Sequence, residues 1–324
     1  MIKRRDFLLA LGIAPFTASI VRAQPKHIRI GMFSATSPRT AVYFAAFERR
    51  LGELGYVDGR NLTIDFRYEK DRPDRLPAQV AELVAQKCDI IFASGPESNI
   101  NVAARATTTI PVIIVAVDFD PVATGTIKSL QRPGGNITGI SFQQIELTAK
   151  RLELLKETMP NARRIAVLTD TTVTDQLRVA HKAAQTLGLA LHPVEMRNPP
   201  YDYAKAFRTL ADTRPDALLV SMTGWFFRDR PLIADLALKH RLPTFFGGIE
   251  FVEAGGMLSY GASLTGMFAH AADFADRVLK GTRPAEIPTE QPTRFELAVN
   301  MKTARALGIK IPNSIMVRAE KVIE

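Results

Sequence analysis

From residue 27 onward the chain alternates short apolar runs rich in β-branched residues with stretches of helical period, and most of the helical stretches stop at Gly or Pro. That alternation is the pattern of parallel α/β structure. In the first half it predicts strands Ile28–Phe33, Leu62–Tyr68, Ile90–Ala93 and Val112–Val117. Between them it predicts helices Ala41–Leu54, Arg75–Gln86 and Ile100–Ala106. Phe44, Phe47, Leu51 and Leu54 share one face of the first helix, and Gly55 stops it. A second half repeats the order with strands Ile165–Leu168, Leu189–Val194, Ala217–Val220 and Thr244–Phe246. Its helices are Asp175–Leu187, Ala204–Ala211 and Leu232–His240. Ile30 and Ala166, Ile90 and Ala217, and Val112 and Thr244 stand at nearly equal separations, which suggests two similarly wound lobes with parallel sheets.

The junctions are as informative as the elements. Arg132-Pro133-Gly134-Gly135-Asn136 punctuates the halves, and the apolar run Ile137–Phe142 after it is placed to cross between lobes. Met257-Leu258-Ser259-Tyr260 is placed to cross back, helix Thr265–Leu279 follows, and Pro284–Pro292 is placed to cross again before strand Phe295–Val299. The expected division is residues 24–140 plus 259–287 for the first lobe and 141–258 plus 288–324 for the second. Three crossovers make a hinge, an architecture for closing two lobes over something.

The start of the chain breaks the α/β pattern. Lys3, Arg4 and Arg5 lead an apolar run that ends in Val21-Arg22-Ala23, too short for a membrane span and interrupted by Pro15. A basic segment, an apolar segment and a small residue before the cut describe a signal peptide cleaved near Ala23, so residues 24–324 are expected in the periplasm. Arg4-Arg5 with Phe7-Leu8 resembles a twin-arginine export signal, with Lys3 where that pattern prefers Ser or Thr.

Composition narrows the classes. With 46% hydrophobic and 23% charged residues the chain is globular, and its length favours two domains. Of the formal net charge of +9, Lys3, Arg4, Arg5 and Arg22 against Asp6 account for three units. The remaining basic residues are scattered and form no dense nucleic-acid or lipid patch. Cys88 is the sole cysteine, so there is no intrachain disulfide, no Cys-rich zinc site and no lipid-attachment cysteine near the cleavage site.

No catalytic motif is present: no phosphate loop, dinucleotide fingerprint, nucleophile elbow or zinc-protease helix. The five histidines have no metal-ligand spacing, and no cofactor is expected. Polar clusters recur instead at the carboxyl ends of the expected strands, where doubly wound sheets bind ligands. The first half offers Ser34 and Thr36, Ser94, Gly95 and Ser98, and Asp118 and Phe119; the second offers Asp170 and Thr171, Thr223 and Trp225, and Glu250. Each hydroxyl or carboxylate before a helix is an N-cap by default, and Trp225 before Phe226-Phe227 reads equally as packing. What lifts the set is its repetition around one crevice. Hydroxyls and free helix N–H groups suit a carboxylate, Asp118, Asp120 or Asp170 a cationic amine, and Phe119, Trp225 or Tyr260 an apolar portion.

Several long motifs resemble one family. They are Asp120-Pro121-Val122-Ala123-Thr124-Gly125, Leu130–Gly139, Phe251–Gly261 and the tail Gln291–Asn300, with Lys302-Thr303-Ala304, Leu307-Gly308-Ile309 and Ile311-Pro312. In that order they are similar to the tryptophan-type ABC transporter substrate-binding proteins. The resemblance implies a type I periplasmic binding fold, two Rossmann-like lobes joined by a three-crossover hinge, and capture of a small organic solute, an amino acid or other carboxylate. It also implies delivery to a membrane permease and its ATPase, the only membrane contact, and no catalysis. Val117-Asp118-Phe119 and Thr169-Asp170-Thr171-Thr172 depart from the family's usual site loops. An exported hydrolase or isomerase in the same cleft, or a sensor signalling to a membrane receptor, are the alternative readings.

Overall fold

The computed structural model describes residues 27–324 except Glu69, Asp71, Asp118 and Gln143. The export signal and the candidate Asp118 lie outside the described residues. The first sheet is built from β1 (Ile28–Ser34), α1 (Val42–Glu53), β2 (Leu62–Tyr68), α2 (Leu76–Ala85), β3 (Ile90–Gly95), α3 (Glu97–Ala106), β4 (Val112–Val117) and β5 (Ile137–Phe142). All its strands are parallel, in the order β2-β1-β3-β4-β5. The runs of β3, β4 and β5 are almost wholly buried because helices cover both faces of a parallel sheet, whereas edge strand β2 is only half covered beyond Ile64.

The second half begins with α4 (Gln144–Thr158), β6 (Arg164–Asp170), α5 (Thr174–Leu187), β7 (Ala190–Met196), α6 (Tyr203–Thr213) and β8 (Ala217–Val220). It continues with α7 (Gly224–Arg228), α8 (Arg230–Lys239), β9 (Thr244–Phe246), α9 (Ile249–Glu253) and β10 (Leu258–Gly261). After α10 (Leu264–Leu279) come β11 (Glu296–Asn300), α11 (Met301–Leu307), α12 (Asn313–Met316) and β12 (Lys321–Ile323). The sheet order is β7-β6-β8-β9-β10-β11-β12, so the winding of the first sheet recurs strand for strand, with β11 and β12 appended. Among the described residues only the β10–β11 pair is antiparallel. Pro193 sits in β7, at the sheet edge, where a missing N–H costs no ladder bond.

The paired halves match the sequence expectation, and the expected face of α1 is buried at Phe44, Phe47 and Leu51. The chain passes between the sheets three times, but β5 and β10 do not themselves cross. β5 pairs with β4 along its whole length, and β10 is hydrogen-bonded on both sides within the second sheet. The passages therefore lie between β5 and α4, between β10 and α10, and between the short turn Pro284–Glu286 and β11. α10 returns to the first lobe and packs on α1, β4 and β5. In the third passage Glu290 donates its N–H to Gly139 O (2.9 Å) and accepts the Ser141 N–H (2.9 Å). Among the described residues no helix is long and apolar enough to cross a membrane.

Candidate functional site

A sheet ordered 2-1-3-4-5 reverses its winding between strands 1 and 3, and the loops diverging there leave a crevice at the strands' carboxyl ends. Both sheets have that order, and one cavity of about 310 Å³ lies where the two crevices face each other. The first lobe lines it with Ser34, Ala35 and Thr36 at and just after the end of β1, Ser94, Gly95 and Pro96 at and just after the end of β3, Ser98 and Asn99 on α3, and Val117 at the end of β4. The second lobe contributes Thr171, Thr172 and Val173 after β6, Pro199 and Tyr201 after β7, and Met222, Thr223, Gly224 and Trp225 after β8. Tyr43, Phe44, Phe142, Phe227, Leu264 and Phe268 complete an aromatic and aliphatic wall. None of the described lining residues carries a formal charge.

The lobes touch around this cavity. The Tyr43 and Phe227 rings meet across it edge to face, centroids 5.3 Å apart, and a Cβ placed on Gly224 would lie 3.1 Å from Thr36 Oγ1. Burial pushes the Tyr43 phenol up to about 12. Trp225 is buried, 6.0 Å from the Tyr201 ring, with the Arg228 guanidinium stacked 4.9 Å from the centre of its own ring.

Several hydroxyls already hold the loops in place. Ser34 Oγ accepts the N–H groups of Thr36 (3.2 Å) and Ser37 (3.0 Å), and Thr223 Oγ1 caps α7 by accepting from Phe226 N–H (3.1 Å). Asn99 donates to Ser94 O (3.0 Å), and Gln176 brackets Met222 with two bonds of 3.2 Å, fixing the loop after β8 to α5. The N-cap reading and the lining reading hold together for Thr223, whereas Ser34 caps no helix: the N-cap of α1 is Ala41, and Ser34 Oγ ties the loop after β1.

Of the thirteen sequence candidates, Ser34, Thr36, Ser94, Gly95, Ser98, Thr171, Thr223 and Trp225 line the cavity. Phe119 is instead buried in the cluster beneath the first sheet, and Tyr260 packs on Phe295 and the second core. Asp170 is buried behind the wall, where Oδ1 accepts the Thr172 N–H (2.9 Å) and Oγ1–H (2.5 Å) and Oδ2 accepts the Tyr201 hydroxyl (3.1 Å). Glu250 is also buried, with Oε1 accepting from the Thr265 N–H (3.3 Å) and hydroxyl (3.4 Å) at the start of α10, while Oε2 has no hydrogen-bond partner among the described residues. It is thus a bond between the lobes, set beside the cavity rather than in it.

Burial holds the Glu250 carboxyl above the ordinary value of 4.5, with Glu253 adding to the effect and Arg230 opposing it. A raised native value means that the unfolded chain releases this proton first as pH rises. Stability from this group is therefore full below 4.5 and declines as pH climbs through the raised native value. Glu250→Gln should remove that decline, so melting temperatures measured from pH 4 to 8 are expected to fall less steeply in the variant. Parallel curves would show that the Glu250 carboxyl titrates alike in the native and unfolded chain.

The sequence reading missed Tyr43, Phe44, Thr172, Tyr201, Phe227 and Phe268. The aromatic residues of α1 and α10 have the spacing of core residues, and nothing in periodicity separates a core face from a cavity wall. Thr172 stands next to a candidate, and Tyr201 follows Pro199-Pro200, a loop with no motif of its own.

Comparison with known proteins bears on this geometry. A family model described as ABC transporter substrate binding protein matches residues 37–323. A protein named tyrosine-binding protein from Clostridioides difficile (strain R20291) is 28% identical over 275 residues, spanning 82% of this chain and 76% of that one. A solved ABC domain in complex with L-Trp from Streptococcus pneumonia superposes with a TM-score of 0.81 at 24% identity, covering 92% of this chain and 100% of that one. A ligand-free, open substrate binding protein from Clostridium difficile, also 24% identical and covering 91% and 99%, gives 0.64.

Proposed function

We propose, on the premise that this chain belongs to the ABC transporter substrate binding protein family, that it captures an amino acid or related small carboxylate between its lobes and hands it to a membrane permease driven by an ATPase. The observation that carries the reading is the single cavity formed where two facing strand-end crevices meet, lined by hydroxyls and aromatic rings. Serine and threonine hydroxyls suit a carboxylate, and Tyr43, Trp225, Phe227 and Phe268 suit a planar or branched apolar portion. The relatives named for tyrosine and found with L-Trp support an aromatic amino acid as the first solute to test.

Proteins of this family work outside the cytoplasm, and the basic and apolar segment before Gln24 supports export with cleavage near Ala23. Lobes made of residues 24–140 plus 259–287 and 141–258 plus 288–324, adjusted to keep β5 and β10 whole, would swing about the three passages. The contacts of Tyr43 with Phe227 and of Thr36 with Gly224 support this arrangement as the closed one. Only a solute that touches both lobes favours closure, since an equilibrium shifts by differential affinity alone.

Isothermal titration against amino acids and simple carboxylates tests the reading. One member of the panel is expected to bind one to one and, at a hundred times its Kd, to add about 2.7 kcal/mol of stability. The melting temperature would then rise by roughly 5 °C. No heat and no shift with any amino acid or carboxylate would reject the solute class. Turnover of a bound compound would replace the receptor reading with an exported hydrolase or isomerase.

A further inference from the structure

Hydrogen-bond bookkeeping around the cavity assigns each hydroxyl a direction. A hydroxyl has one hydrogen to donate and two lone pairs to accept with, whereas a carboxylate only accepts. Ser34 Oγ spends both lone pairs on the N–H groups of Thr36 and Ser37, so toward a solute it can only donate. Thr172 and Tyr201 are the reverse case. Asp170 Oδ1 takes the hydroxyl hydrogen of Thr172 at 2.5 Å and Oδ2 takes that of Tyr201 at 3.1 Å. Burial and the neighbouring Asp170 carboxylate raise the Tyr201 phenol, so it keeps its proton and remains the donor of that pair. Both oxygens belong to cavity-lining residues, and toward a solute both offer lone pairs only.

We infer that Asp170 is a positioning residue that, by fixing the hydroxyls of Thr172 and Tyr201 as acceptors, makes this side of the cavity select a hydrogen-bond donor, the cationic amine of an α-amino acid. Asp170 does not touch the amine in this arrangement; it acts through two neutral oxygens and adds a negative charge behind them. Ser34, on the other lobe, presents the opposite polarity and suits the carboxylate of the same solute. A solute carrying only the carboxylate would leave the free lone pairs of Thr172 and Tyr201 facing it without a donor, which is how a polar site rejects an analogue lacking one group. The inference rests on the amino-acid reading above and specifies which half of the zwitterion each wall reads.

The test compares each aromatic amino acid with its des-amino acid, for example L-phenylalanine with 3-phenylpropionate, by titration against wild type and Asp170→Asn. An asparagine amide must donate to one of the two hydroxyls, which turns that hydroxyl's hydrogen toward the cavity. Wild type is expected to prefer at least one amino acid over its des-amino partner, and the variant to reduce that preference by about tenfold. Tyr201→Phe, which removes one acceptor and leaves Asp170 in place, should lower the same ratio and carries the test if Asp170→Asn does not fold. A purely structural role would weaken both ligands equally and leave the ratio unchanged, which overturns the inference. Equal binding of the pair by wild type also overturns it while leaving the receptor reading intact. Failure of wild type to bind either series would reject the receptor's solute class itself.

Discussion

Gly139→Ala is expected to lower the melting temperature by roughly 5–10 °C, the largest stability loss available from a single added methyl in the Pro-Gly-Gly segment and the strand after it. Gly139 lies in β5 with φ +142°, a conformation other residues rarely adopt, and pairs in register with Ile114. A Cβ there would fall 2.2 Å from Ile114 O and 2.7 Å from Ile114 N, both backbone atoms of a fully buried neighbouring strand. Neither can move aside without breaking the ladder, so β5 itself must shift. Gly139 O also accepts the Glu290 N–H, and Thr138 Oγ1 donates to Ile287 O at 2.7 Å, so the shift would detach the third passage as well. The combined backbone strain and overpacking amount to about 3–5 kcal/mol. Gly135→Ala, four residues earlier with nothing within 4 Å of its Cβ, is the control and should change stability by less than about 0.5 kcal/mol. Thermal melts that give the two variants the same midpoint would show that β5 tolerates displacement.

Gly224→Val should act on closure and leave the fold alone. Gly224 opens α7 and faces Thr36 of the other lobe, with its virtual Cβ 3.1 Å from Thr36 Oγ1 and 3.3 Å from Cγ2. Valine adds two further methyls into that gap. With the lobes apart the side chain meets no such neighbour, so the ligand-free melting temperature is expected to stay within about 2 °C of wild type. Closed, the crowding costs about 1–3 kcal/mol, which lowers solute affinity roughly tenfold to a hundredfold. Titration together with the ligand-free melt separates the two effects. Wild-type affinity in Gly224→Val would mean that Thr36 and Gly224 do not meet in the bound state.

What the chain displayed openly was the part set by burial on both faces of a sheet. Val112–Val117 and Ala217–Val220 are continuous apolar runs because helices cover them above and below, and their bounds coincide with β4 and β8. The strand-end loops were legible for the same reason, since a polar cluster directly after such a run has no core to enter. α4 went unread because its inward face mixes types: Thr148 and the fully buried Arg151 lie beside Leu152, Leu154 and Leu155, which blurs the helical period. Arg151 Nε donates to Tyr260 O at 2.8 Å, a demand created by a strand more than a hundred residues away and invisible in its own neighbourhood. The roles of Asp170 and Glu250 were hidden in the same way. Each was legible as a carboxylate near the site, but beside the local Thr172 hydroxyl on Asp170, the hydroxyls of Tyr201 and Thr265 that claim them are brought near only by the tertiary structure.

The antiparallel pairing of β10 with β11 bears on the kind of movement the molecule permits. The second passage leaves from Gly261 and the third arrives at Glu296, and these two residues are register partners. At its other end the third passage is stitched to β5, which leads into the first, through Glu290 and the backbone of Gly139 and Ser141. The three connections are therefore laced to one another on alternate sides of the gap instead of running as separate strings. Such a strap should flex across its width more readily than it twists, so the lobes are expected to open and shut like a book about one spine. A solute would then enter from the side opposite that spine, past the loops carrying Thr36 and Gly224.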